Sequence, residues 1–163
     1  MRKPVLSIHL AWTLRDFMAV RKIRNDCRTF MTRDQHYISI FDQVKFWLWH
    51  RRPSATYRVY LGTVDGKPAA YGIVNGHLVS GGLLSEYRGH GHGRTLFTRL
   101  THQAAQPALL EVLASNIHAQ SLYTSLGYTQ YVQVGSVLKM RHTGRVVHPA
   151  KRKAKASPQG KPR

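Results

Sequence analysis

A chain of 163 residues has the length of one domain, and with 42% hydrophobic and 10% aromatic residues it can bury a core of its own. Its charge is lopsided: 25 Lys and Arg face 7 Asp and Glu, a formal +18, of which residues 141–163 hold 8 cations and no acid, leaving 17 cations against 7 acids (+10) in residues 1–140. A single cysteine, Cys27, excludes an internal disulfide and a paired-cysteine zinc site, no run of ~18 apolar residues offers a membrane span, and a reducing, cytoplasmic setting is expected.

The basic opening and following apolar run look like a secretory signal, but His9 interrupts the run and no small-residue cleavage site follows. VLSIHLAW is therefore read as a first strand. TLRDFMAVRKIRNDC places Leu14, Phe17, Met18 and Val20 at helical spacings behind Thr13 as N-cap, predicting a helix to about Cys27. Within that helix Cys27 reads as a buried or incidental thiol, having no nucleophile motif around it. SIFDQVKFWLWHRR starts at a second cap, Ser39, sets Ile40, Val44, Trp47 and Leu48 on one side, and ends in cations that suit a helix C-terminus. Phe46, Trp47 and Trp49 read as core or groove wall.

YRVYLGTV and AAYGIVNG form two strands around Asp65-Gly66, a pair able to supply positive-φ turn geometry. HLVSGGLL makes a third, in which Gly81-Gly82 suggests a bulge or a close backbone approach. GRTLFTRLTHQA is a helix with Leu96, Phe97 and Leu100 inward. ALLEVLA is an apolar strand interrupted by one acid, and HAQSLYTSLG is a short helix closed by Gly127. YTQY and SVLKMR complete the sheet. No internal repeat is found. From about Thr143 the chain is rich in Pro, Gly, Ala and Lys without periodicity, which divides it into a domain at 1–143 and a basic, disordered tail at 144–163.

Chemistry concentrates between the third strand and the next helix, at Arg88-Gly89-His90-Gly91-His92-Gly93-Arg94. Glycines let the backbone approach a guest closely, N–H groups of a first helical turn lack internal partners, and the helix dipole favours an anion there. A phosphate or pyrophosphate fits. Counted from Gly89, the dinucleotide pattern G-x-G-x-x-G would need its third glycine at Arg94, and the G-x-x-x-x-G-K-[ST] loop is absent. His90 and His92 lack further metal ligands at a recognisable spacing, so no metal is expected.

What the loop does spell is R-x-x-G-x-G, at Arg88, Gly91 and Gly93. Further on, LEVLASNIHAQSLYTSLGY carries Val112, Asn116, Ala119, Leu122-Tyr123 and Gly127-Tyr128 in the pattern V-x-x-x-N-x-x-A-x-x-L-Y-x-x-x-G-[FY]. With both motifs in order, the chain resembles the GCN5-related N-acetyltransferases (GNAT) over roughly residues 4–141. The resemblance implies an α/β (α+β) fold: a mixed, mostly antiparallel sheet of about seven strands with a splayed fourth and fifth strand, flanked by about four helices. It also implies acetyl-CoA as cosubstrate, with Gly81, Gly82 and Leu83 along the pantetheine arm, residues 88–94 (Arg88, Gly89, His90, Gly91, His92, Gly93, Arg94) on the pyrophosphate, and Asn116 as a further cofactor contact. Asn116 fits a helix N-cap equally well. Two residues depart from the family pattern: His92 where an apolar residue is usual, and Ser85 where proline is.

Forming an amide from a thioester needs a neutral amine, a proton acceptor and a donor for the leaving thiolate. A lysine amine with pKa ~10.4 is mostly charged at neutral pH, and an α-amine near ~8 less so. Tyr123 matches the family tyrosine that protonates the thiolate; packing on a short helix is its plainer role. Glu111, a carboxylate in an otherwise apolar strand, is either the base or a buried ion-pair partner. LEV-x-x-SN is similar to the ribosomal-protein alanine N-acetyltransferases, which carry their base there, and Glu86 reads as a brace for the loop. The expected activity is transfer of an acetyl group to a primary amine, a protein amino terminus, a lysine or a small molecule, with the acceptor wall built by the first two helices. The basic surface adds a possible polyanion partner (ribosome, tRNA or DNA), and with it the alternative of a non-catalytic nucleic-acid-binding module on the same scaffold.

Overall fold

Strand and helix signals along the chain resolve, in a computed structural model, into seven strands and four α-helices among the described residues, which are 4–142 and Gly144. The strands are β1 (Leu6–Leu10), β2 (Tyr57–Val64), β3 (Lys67–Asn75), β4 (Leu78–Leu83), β5 (Leu109–Leu113), β6 (Tyr128–Val134) and β7 (Val137–His142). The helices are α1 (Leu14–Asp26), α2 (Ile40–His50), α3 (His92–Gln103) and α4 (Ile117–Ser125). One sheet runs β1-β2-β3-β4-β5-β7-β6, antiparallel throughout except for the parallel β4–β5 neighbours. This is the mixed, splayed sheet that the resemblance implied. The tail from residue 145 onward lies outside the described residues, and none of the described helices is long and apolar enough to cross a membrane.

Local chemistry sets the helix starts. Thr13 and Asp16 form a reciprocal capping box on α1, and the Ser39 hydroxyl accepts from the Asp42 N–H at 3.1 Å on α2. Asp65 at φ 49° and Gly66 at φ 75° make the tight β2–β3 turn. Alternate residues of β2 and β3 then enter two cores on opposite sheet faces. Val59, Leu61 and Tyr71 pack with Phe17, Val20 and Ile23 of α1, whereas Tyr60, Ala70 and Val74 join Leu96, Leu100 and Tyr123 beneath α3 and α4.

Two local expectations are corrected. The buried side of α2 is Gln43, with Phe46 and Trp47 partly covered, while Ile40 and Leu48 are each 55% exposed. Phe46 packs against Phe17 and the Trp47 indole donates to the Trp12 carbonyl at 3.0 Å, and these anchors rotate the helix away from the face its hydrophobic spacing favours. Nor is there a bulge at Gly81-Gly82, since β3 and β4 stay in register from Asn75↔Leu78 to Ala70↔Leu83. Close approach explains the glycines: a Cβ on Gly81 would stand 2.6 Å from the Tyr71 carbonyl oxygen, and one on Gly82 2.8 Å from Cys27 Sγ. The splay comes from the other edge of β4, where pairing with β5 is confined to Leu78↔Leu109.

Candidate functional site

Beyond Leu78 the edge of β4 facing β5 has no strand partner among the described residues, and the gap widens into a cleft of about 720 Å³. Gly81, Gly82 and Leu83 line one wall, and Asn116, Ala119, Leu122 and Tyr123 from the start and body of α4 line the other. The glycine loop closes one end through Gly89, Gly91 and Gly93. Gly89 and Gly91 take positive φ of 79° and 85°, and Gly91 is the N-cap of α3. Among the described residues, the N–H groups of residues 89–93 have no backbone partner; the first to find one is that of Arg94, on the Gly91 carbonyl at 3.1 Å. Among the described residues the lining includes Arg88, Arg94 and His118 and contains no carboxylate. Free backbone donors, a helix N-terminus and only basic charge fit a pyrophosphate, and the unpaired strand edge fits an extended amide chain.

Of the catalytic and cofactor-binding residues named from sequence, all but His90, His92 and Glu111 line this cleft. His90 is exposed and outside the lining, and His92 turns its ring into the protein, 5% exposed beside Tyr87, filling the place of the apolar residue usual in the pattern. Arg88 borders the cleft, but its guanidinium is engaged inward: Nε donates to the Leu83 carbonyl at 3.0 Å and Nη2 to Asp26 at 3.3 Å, over the Phe30 ring. It fastens the end of β4 to α1. Asn116 is an N-cap as well as a wall residue, its Oδ1 accepting from the Ala119 N–H at 3.2 Å. Glu86 is exposed on the short 3-10 turn Ser85–Tyr87. Tyr123 stands edge-on to Phe97 with centroids 4.8 Å apart, and burial raises its phenol pKa, so the proton stays on the oxygen across the neutral range.

A second cavity, about 570 Å³, opens between α1, the loop that follows it, α2 and the sheet, and Met31 borders both. Glu111 projects from β5 into this second space. Arg33 donates to both of its carboxylate oxygens at 2.8 Å, Thr32 Oγ1 adds a bond at 3.2 Å, and Lys139 Nζ lies 3.7 Å away. The Arg33 hydrogen bonds hold the Glu111 carboxyl below the usual carboxylate range, against burial, which pushes it up. Tyr57 and Tyr71 also line this cavity, the Tyr71 hydroxyl donating to Met31 Sδ at 3.3 Å.

Sequence reasoning missed Arg33, Thr32 and Lys139, and it set Cys27 aside. Arg33 is 78 positions from Glu111, so no local pattern could join them. Cys27 borders the cleft, donating to the Leu83 carbonyl at 3.1 Å, with its thiol pKa raised by burial. Among the described residues no group of three or more His, Cys, Asp or Glu side chains is placed to hold a metal ion.

The acetyltransferase (GNAT) family model matches residues 17–128, spanning most of the first helix, the splayed strands, the glycine loop and α4. The chain belongs to the GNAT family. No curated protein gives a significant match to this GNAT chain. Among solved structures it resembles yncA of Salmonella typhimurium, determined with its cofactor acetyl-CoA, at TM-score 0.69 and 18% identity over 92% of this chain and 99% of that one. A ribosomal-protein-alanine N-acetyltransferase from Brucella melitensis matches at TM-score 0.67 and 18% identity, covering 83% and 98% of the two chains. A spermidine N-acetyltransferase from Vibrio cholerae, in complex with CoA and spermine, matches at 0.68 and 15%, covering 83% and 94%. At these identities the likeness is one of fold, and it places the splayed pair and the loop within a GNAT framework.

Proposed function

We propose that this GNAT protein is an acetyl-CoA-dependent N-acetyltransferase that transfers an acetyl group to a primary amine by direct attack. The observation that carries the reading is the pair of cavities meeting at Met31, one bordered by the glycine loop and Tyr123, the other by Glu111. Acetyl-CoA supplies the activated acyl group. The N–H groups of residues 89–93 and the helix terminus bind its pyrophosphate, and the open edge of β4 at Gly81–Leu83 pairs with its amide arm. Glu111 takes the proton from the incoming ammonium, and Tyr123, kept protonated by burial, gives its proton to the departing sulfur. The amine enters through the cavity walled by α1 and α2, and a protein amino group is one acceptor this opening suits.

The basic surface belongs to the reading as a partner site. Of the seven acids, Asp26, Asp34 and Glu111 lie in ion pairs with arginines and Asp16 and Asp42 sit in helix caps, which leaves most outward charge positive. A polyanion such as RNA, presenting or lying near the acceptor, would be drawn to it in a salt-dependent way. Calorimetric titration of acetyl-CoA into wild type and Gly91→Glu tests the cofactor site. Micromolar-range binding that the variant loses is the expected result, and no wild-type binding at low or high salt would leave the nucleic-acid-binding alternative in its place.

A further inference from the structure

Three features of the Glu111 cavity bear on which amine it receives. Arg33 lays Nε and Nη2 on the carboxylate, yet 66% of its side chain is exposed, so the guanidinium can swing into water with little loss of solvation. The charges around the carboxylate are matched. Arg33 and Lys139 face Glu111 directly, with Arg24, Asp34, His36 and Asp42 also around the cavity; three acids meet three full cations, without the excess of negative charge that would select a polycation. Third, Gln43 on the same wall is 3% exposed, and its Nε2 has no hydrogen-bond partner among the described residues.

Resting on Glu111 as the base, we propose that Arg33 stands where the ammonium of the acetyl-accepting substrate must go, and that the preferred substrate is a primary amine carrying a carboxylate beside it. Such a molecule exchanges partners: its ammonium takes Glu111, and its carboxylate takes the released guanidinium. A plain amine gains the first pair only, and a polyamine brings a second cation toward Arg24, Arg33 and Lys139. In the transfer, one ammonium proton passes to Glu111, the freed lone pair forms the C–N bond as the C–S bond breaks, and the sulfur receives the Tyr123 proton. The second proton of the new amide nitrogen leaves to water, and the phenol is reprotonated from water. Arg33 acts in this scheme as a specificity residue.

The test follows thiol release from acetyl-CoA by the full chain, with the α-amino acids and their carboxamides as matched acceptors. Values of kcat/KM are taken over a pH series, since the amide also lowers the pKa of the amine. Wild type should favour at least one acid over its amide by tenfold or more. Arg33→Gln should erase that preference by raising KM for the acid and should move the acid limb of the profile to higher pH; Arg33→Lys should keep part of the preference and carries the test if Arg33→Gln melts early. Loss of transfer in Glu111→Gln together with an unchanged preference in Arg33→Gln overturns the proposal and leaves the base in place. Full transfer by Glu111→Gln removes the base and the proposal with it. A wild type that favours the amides, or uses neither member of any pair, also overturns it.

Discussion

Glu111 gathers two cations and a hydroxyl on one carboxylate, so its substitution has consequences for both rate and stability. Glu111→Gln is expected to lower kcat by ~10²–10⁴, the range for a lost general base, with binding of acetyl-CoA unchanged. Because its pKa in the fold lies below the ordinary 4.5, the ion pair contributes stability above that value and loses it as pH falls through the folded pKa. Arg33→Gln should therefore melt below wild type at pH 7, by an amount worth less than ~1 kcal/mol for so exposed a partner, and the two melting curves should converge as pH falls through the folded pKa. Tyr123→Phe keeps the ring on Phe97 and removes only the proton donor, so kcat should fall with Tm nearly unchanged. Gly82→Ala brings a methyl onto Cys27 Sγ and should cost roughly 1–3 kcal/mol. Adding Cys27→Ala should recover part of it, and melts of the two single variants, the double variant and wild type measure the coupling.

At the scale of elements, caps and turns carry local information and so could be read in advance. Thr13, Ser39, Asp65-Gly66 and Gly127 each set a boundary through their own backbone or side chain, and the observed elements begin or end beside them. Thr13→Ala and Ser39→Ala should each cost about 1 kcal/mol, seen as a fall of about 3 °C in Tm. The orientation of α2 was not legible, because Phe46 and Trp47 meet partners on α1 and the segment before it, and tertiary contacts overrode the hydrophobic spacing. The glycine loop was legible because its chemistry is backbone chemistry confined to a few adjacent residues. The surroundings of Glu111 were not: Arg33 and Lys139 reach it from a loop and a strand remote in sequence, and only the folded sheet brings them there.

For the whole molecule, charge and sheet architecture act independently. Residues 145–163 hold 7 of the 25 cations, so a chain ending at residue 144 should bind single-stranded RNA with a flatter salt dependence, by ~0.7 in slope for each phosphate no longer neutralised, while acetyl transfer to a small amine is unchanged. The sheet, by contrast, is joined across its middle by the one pair Leu78↔Leu109. Mechanically it is two panels, β1 to β4 and β5 to β7, meeting at a seam with little backbone stitching of its own. Acetyl-CoA seated along the open edge of β4 would act as a rivet through that seam, so affinity for it and rigidity of the sheet become one property. Amide exchange should accordingly slow at Gly81–Leu83 and along β5 when acetyl-CoA is added, with β1 and β2 unaffected. A molecule built this way should be stiffest while loaded and should loosen as coenzyme A leaves, which would couple product release to the relaxation of the sheet itself.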